Sequence, residues 1–205
     1  MRKALCVAAM AVTMGAAAQP AAPLLPPQAE VAGESQEEWT KHWWRWAKSF
    51  DDGVSPVADR DGRHCGLGQS GPVWFLAGTY GTQRAVRHCR VPAGKTLFFP
   101  LINYVTYTAE GQRLSCASLM QSAARLTDTL HALVLEVNGQ RFEGLAEHRQ
   151  ATRRCFLLFD DDDTLAAGNG YYAAIGPLAP GRHTLNYGGM LPGMSQAVTY
   201  TLDVE

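Results

Sequence analysis

Short runs that alternate apolar with polar residues dominate the chain after residue 70, and one strongly helical pattern precedes them. In AVTYTLDV (197–204), Val198, Tyr200, Leu202 and Val204 alternate strictly with Ala197, Thr199, Thr201 and Asp203, which predicts a strand with one face in the core. Further strands are expected at VWFLAG (73–78), RAVRHCRV (84–91), TLFFPLI (96–102), NYVTY (103–107), LVLEV (133–137), QRFEGL (140–145), RCFLLF (154–159), YYAAI (171–175) and RHTLNY (182–187). Pro100 cannot donate to a ladder, so it predicts a bend or an edge position. Asn138-Gly139 between two such runs predicts a hairpin, because both central residues of the tight turn need positive φ.

Two segments carry the 3.6-residue period instead. In SQEEWTKHWWRWAKSF (35–50), Ser35 and Glu38 have the spacing of a capping box, and Trp39, Trp43, Trp46 and Phe50 fall on one stripe that should lie against the main body. Lys41, Arg45 and Lys48 fall on other faces, and His42 flanks the stripe in a structural position. In SLMQSAARLTDTLHAL (118–133), Leu119, Ala123, Leu126, Leu130 and Leu133 recur at helical spacing. The whole predicts a mainly β protein: an antiparallel β-sandwich, jelly-roll or Ig-like, with one N-terminal aromatic helix and one inserted helix.

The first residues change the picture of where this fold resides. Arg2 and Lys3 precede an apolar run that ends in Ala16, Ala17 and Ala18, the layout of a cleavable signal peptide over residues 1–18. Residues 19–34, with four prolines, read as a flexible or extended linker, and residues 35–205 as a single domain. The expected location is secreted or periplasmic, with no transmembrane segment in the mature chain. Removing Arg2 and Lys3 takes the formal charge from −1 to −3, which leaves no electrostatic footprint for nucleic acid.

Loss of Cys6 with that leader leaves Cys65, Cys89, Cys116 and Cys155. An even number of thiols in an oxidising compartment points to disulfides, and of the three pairings Cys65 with Cys89 and Cys116 with Cys155 is preferred. A zinc site from the doublets His64-Cys65 and His88-Cys89 is the competing reading, weakened because adjacent residues in a strand face opposite ways.

GLGQSG (66–71) matches a dinucleotide-binding pattern, but Pro72 and a β-prone run follow it where a helix should emerge, so the glycines are read as a tight turn. Asp59 and Asp61 in DRDG suggest part of a calcium loop but lack the remaining EF-hand ligands, and are read as making turn hydrogen bonds. The Asp160–Asp163 run is read as a solvated face with calcium as the alternative. His183 shares a strand face with Leu185 and Tyr187, the setting of a core histidine. Arg87 and Lys95 are candidates for cation-π contact with Trp74, and Trp44, off the aromatic stripe, for stacking on a ligand.

The blocks WWRW (43–46), Pro56 to Asp59, Cys65 with Gly68-Gln69 and Gly71, VWFLAGT (73–79), Arg87 with Cys89, RVPAGKTLFFPLIN (90–103) and PLAPGRHTLNYGG with VTYTLDV resemble, in the same order, a family of secreted, largely uncharacterised bacterial proteins. The resemblance spans nearly all of the mature chain and implies that Cys65 and Cys89 act as a unit. It implies no chemistry. This chain departs from the pattern after Arg154, where Cys155 and the Asp160–Asp163 run stand in place of a proline-containing loop.

The function expected from the sequence is therefore binding without catalysis and without a cofactor, the ligand being an envelope protein or a glycan, with Trp44, Trp74, Arg87, Asn103 and His183 as candidate binding residues. One alternative is a hydrolase or metal-dependent enzyme using Asp59, Asp61, His64, His88 or His183. The other is an inhibitory or structural protein whose aromatic helix docks on a partner.

Overall fold

The alternation of residues 197–204 belongs to a longer strand that shares a sheet with the run around Cys89, and this pairing sets the second layer of the molecule. The computed structural model describes residues 23–51, 53–159 and 163–205. The expected signal peptide, the start of the expected linker and Asp160–Asp162 lie outside them. In chain order the elements are α1 (Gln36–Lys48), β1 (Val73–Phe75), β2 (Gln83–Val91), β3 (Thr96–Tyr107), α2 (Cys116–Thr127), β4 (Ala132–Val137), β5 (Gln140–Arg141), a 3-10 turn (Leu145–His148), β6 (Arg149–Ala151), β7 (Phe156–Leu157), β8 (Leu165–Ile175), β9 (Gly181–Leu191) and β10 (Met194–Val204).

They form two five-stranded sheets, β1-β3-β8-β6 with β7 also on β8, and β2-β10-β9-β4-β5. The sheets pack face to face over a shared core that includes Leu97, Phe99 and Leu101 from one and Leu185, Tyr187, Val198, Tyr200 and Leu202 from the other. Helix α1 covers the outer face of the first sheet, where Phe98, Tyr172, Ala166 and Ala174 meet Trp43, Trp44 and Trp46, while α2 lies on the opposite face, its Leu119 and Thr127 carbonyls accepting from Thr106 and Tyr171. The expected sandwich is therefore present, with one departure. Most pairs are antiparallel, but β1 with β3 and β2 with β10 run parallel. A parallel pair needs a long connection, and here it is supplied by chain that crosses to the opposite sheet.

Pro100 bends β3, shifting its register against β8 between Pro100 and Ile102. The strand's first residues lie between β1 and β8, but β1 pairs only with Thr96–Phe98, so at Pro100 it has a ladder partner on the β8 side alone. The carbonyls freed at the bend are taken by the buried amide of Gln196, at 3.0 Å from Pro100 O and 2.6 Å from Leu101 O. The helical period of residues 118–133 is overrun: α2 stops at Thr127, and Leu133 belongs to β4. Asn138 and Gly139 take φ of 51° and 80° in the expected hairpin.

Residues 23–34, expected as a linker, are fastened to the first sheet. Leu24 bridges Ile175, Leu25 N–H donates to Ala174 O at 2.9 Å, and Gly176 N–H donates to Pro23 O at 3.0 Å. Prolines suit such a strap because an extended segment that borders a sheet at one point needs few donors. The outer edge of β8 is thus covered piecemeal by the strap, β6 and β7.

The disulfides join Cys65 to Cys89 and Cys116 to Cys155. The Cys65 and Cys89 sulfurs are thereby withdrawn from the zinc alternative. Among the described residues no helix is long and apolar enough to cross a membrane.

Candidate functional site: an aromatic groove beside the first helix

Ser35 caps α1, its hydroxyl accepting from Glu38 N–H at 3.2 Å. The reciprocal half of the expected capping box is replaced: the Glu38 carboxylate accepts from Lys41 at 2.6 Å, three residues along the same helix. The aromatic stripe then does two things at once. Each indole N–H on it donates to the carbonyl of a different irregular segment: Trp39 to Val31 at 2.7 Å, Trp43 to Leu76 at 3.0 Å and Trp46 to Leu67 at 2.9 Å. A buried indole needs such a partner, and these three bonds tie the strap, the end of β1 and the GLGQSG loop to one helix.

The rings form a continuous wall. Trp39 and Trp46 flank Phe75 at centroid distances of 6.0 and 5.4 Å, and Trp46 meets Phe50 edge-on at 6.2 Å. This wall lines an open groove of about 820 Å³, completed by His42, Arg45 and Lys48 from α1, by Gly68 to Pro72 on one rim, and by Leu158 and Phe159 on the other.

The GLGQSG turn is what shapes the first rim. Gly68 and Gly71 adopt φ of +62° and +66°, and a β-carbon on Gly68 would lie 2.7 Å from the Phe50 ring. Glycine therefore lets the loop sit directly on the helix. Gln69 clamps the loop to β1, donating to Cys65 O at 3.0 Å and Phe75 O at 2.9 Å while accepting from Phe75 N–H at 2.9 Å.

Charges around the groove divide into two kinds. His42 and Glu34 hold each other at 2.9 Å. Arg45 spends its Nε on Leu157 O at 2.9 Å with its guanidinium 5.5 Å from the Phe156 ring, and Lys48 Nζ stands over the rings of Tyr80 and Tyr107 at 5.2 and 5.8 Å.

The five candidate binding residues, Trp44, Trp74, Arg87, Asn103 and His183, lie elsewhere, and all are buried. Trp44 packs edge-on against Trp43 at 4.9 Å beneath the helix, facing Gly168 of β8. Asn103 is its neighbour through Tyr172, whose hydroxyl accepts from Asn103 Nδ2 at 2.9 Å. Burial pushes that phenol well above its ordinary pKa, opposed in part by the Asn103 bond and the nearby indole of Trp44. The Trp44 N–H itself has no hydrogen-bond partner among the described residues.

Trp74 lies in the core between the sheets. Arg87, 1% exposed, clasps the chain before β2: Nε donates to Asp59 O at 2.8 Å, the terminal nitrogens to Val57 O, Gly78 O, Ala77 O and the Tyr200 hydroxyl. Its ring contact is with Tyr200, at 5.5 Å, and not with Trp74. Lys95 Nζ donates to Gly71 O. His183 is a core residue bridging Asn138 at 2.9 Å and Ala179 O at 2.7 Å. Trp44 and Asn103 are thus brought together, whereas Trp74, Arg87 and His183 stand apart from them and from the groove.

Asp59, Asp61 and His64 line a shallow depression of about 240 Å³. The carboxylate of Asp59 accepts from the N–H groups of Asp61, Gly62 and His64 at 3.0, 3.1 and 2.9 Å, so both oxygens organise the turn, as expected. The Arg63 side chain holds Asp61 well below the usual carboxylate range. His88 is on the outer face of β2, paired with Asp203 at 2.7 Å. No group of three or more His, Cys, Asp or Glu residues able to share an ion occurs among the described residues.

Sequence reasoning placed Trp39, Trp46 and His42 on the helix but gave them structural roles, and it passed over Phe75 and Phe159. No local signal separated them, since Trp39 and Trp46 share one stripe with the fully covered Trp43.

No family model and no curated protein matches the chain. A solved structure described as "Structure of PbICP-C in complex with falcipain-2" matches 66% of this chain and 100% of its own, at 11% identity and a TM-score of 0.30. A likeness of that size transfers neither fold nor function.

Proposed function

We propose that the protein is an exported binding protein and that the groove beside α1 takes a glycan. The observation that carries the reading is the Trp39–Phe75–Trp46 wall, in which both indole N–H groups are committed to backbone carbonyls and the half-buried rings of Trp39 and Phe75, packed on the buried Trp46, border an open channel. Sites for small ligands combine such a surface with a few polar groups at the rim, here Glu34, His42 and Ser70. A sugar ring suits it, having apolar C–H faces and hydroxyls around its edge. Two disulfides support export, since such bonds persist in oxidising compartments.

Calorimetry of the purified protein against a panel of envelope oligosaccharides tests the reading. Wild type is expected to bind at least one member, and Trp39→Ala, with its fold checked by near-UV circular dichroism, to lose about tenfold or more in affinity. A panel without any binder sinks it. A hydrolytic reading at the depression lined by Asp59, Asp61 and His64 is the second choice and would rest on His64, since Asp59 is committed to the turn and Asp61 to Arg63. New reducing ends in the same incubations, abolished by His64→Ala, would establish that one instead.

A further inference from the structure

The geometry points to an acidic glycan as the ligand of this groove, its anionic groups recognised by Arg45 and Lys48. The inference rests on the groove being the glycan site and adds the charge of the glycan. Of the four ionisable side chains that line the groove, Glu34 and His42 satisfy each other, while neither Arg45 nor Lys48 has a carboxylate within ion-pair distance among the described residues. They stand three residues apart on the last turn of α1, so their charged ends occupy neighbouring positions along one helix face.

Each cation is braced. The Nε of Arg45 is fixed on Leu157 O, which leaves its terminal nitrogens for the two-pronged bond that a guanidinium makes to a carboxylate. Lys48 is steadied over two tyrosine rings, which orient an ammonium without neutralising it. Their place at the C-terminal end of the helix favours positive charge there. It does not account for both being set into the channel whose wall is Trp39, Phe75 and Trp46. A chain of formal charge −1 that sets beside an aromatic wall two cations with no carboxylate partner among the described residues is matched to a ligand offering sugar faces and negative charge together.

The test compares a uronic-acid oligosaccharide with its carboxyl-reduced, neutral counterpart, using wild type, Arg45→Gln/Lys48→Gln and Trp39→Ala. A fourth protein with Asp160–Asp163 changed to Asn removes competing carboxylates that follow Phe159 in the sequence. Wild type or the Asn variant is expected to prefer the acidic oligosaccharide by about tenfold, and the Gln double variant to lose that preference, so that it binds the two oligosaccharides alike. Raising salt from about 0.05 M to about 0.5 M should erode the preference as screening shortens. Equal binding of both oligosaccharides, unchanged by the Gln pair, overturns the charge inference and leaves the groove reading intact. Binding unaffected by Trp39→Ala, or no binding by any of the four proteins, removes both.

Discussion

Gln69 shows how much of the groove depends on single side chains. Its amide makes three backbone hydrogen bonds that close the GLGQSG turn onto β1, and no apolar contact can substitute for them. Gln69→Ala should therefore cost roughly 2 kcal/mol, read from urea denaturation, with a larger loss of ligand affinity than of fold because the rim itself is released. Asp203 gives a second residue-level expectation. Its hydrogen bonds from Arg182 and then His88 lower its pKa from 3.8 to about 2. Because the folded value is depressed, the stabilisation is complete above pH 3.8 and disappears as pH falls through about 2. A carbon-detected NMR titration should show a single low midpoint that moves up in Arg182→Gln. At this scale the sequence was informative where chemistry is local: the turn role of Asp59 and the core setting of His183 follow from neighbouring residues. Arg87 was not legible, because its carbonyl partners come from Val57, Asp59, Ala77 and Gly78, which meet only after both sheets form.

Among the elements, β8 explains best why sequence patterns fail. LAAGNG (165–170) reads as a loop, yet it is the first half of an eleven-residue strand. Its small residues are required by what presses on them: a β-carbon on Gly170 would stand 2.5 Å from Asn103 Cα, and one on Gly168 3.1 Å from the Trp44 indole. Packing has overridden propensity there. Gly170→Ala should accordingly destabilise by about 1–3 kcal/mol, since the obstructing atoms include backbone, whereas Gly139→Ala, with open space around it, should show only the smaller cost of a strained turn. The aromatic helix behaves as an element of the core, with Trp43 2% exposed. Deleting residues 35–50 is expected to yield no cooperative thermal transition, and a folded product would reverse that assignment. Helix α1 itself was legible from its cap and stripe. Its groove was not, because whether Trp39 and Phe75 keep a free face depends on how far the Gly68–Pro72 rim reaches.

Across the molecule, the two disulfides hold the loops that border the groove: one anchors the GLGQSG rim to β2, the other joins α2 to the segment leading to Leu158 and Phe159. They span 24 and 39 residues. Each should contribute roughly 3 kcal/mol by restricting the unfolded chain, so a thiol reductant is expected to lower the urea midpoint markedly without abolishing the far-UV signal of the sheets. The sandwich was readable from alternation and the use of four cysteines in disulfides from their even number, while the pairing, Cys65 with Cys89 and Cys116 with Cys155, was a preference among three that the structure bears out. The parallel pairs were not, since nothing local in QRAVRHCRV or MSQAVTYTLDV specifies which distant strand lies alongside. The same long-range closure bears on how the protein is made. Leu24 finds its place against Ile175, and β2 must wait for β10, which lies far beyond it in the chain. A nascent chain emerging from a ribosome thus carries an unpaired β2 border until β10 has been made, an interval in which that strand is open to wrong partners.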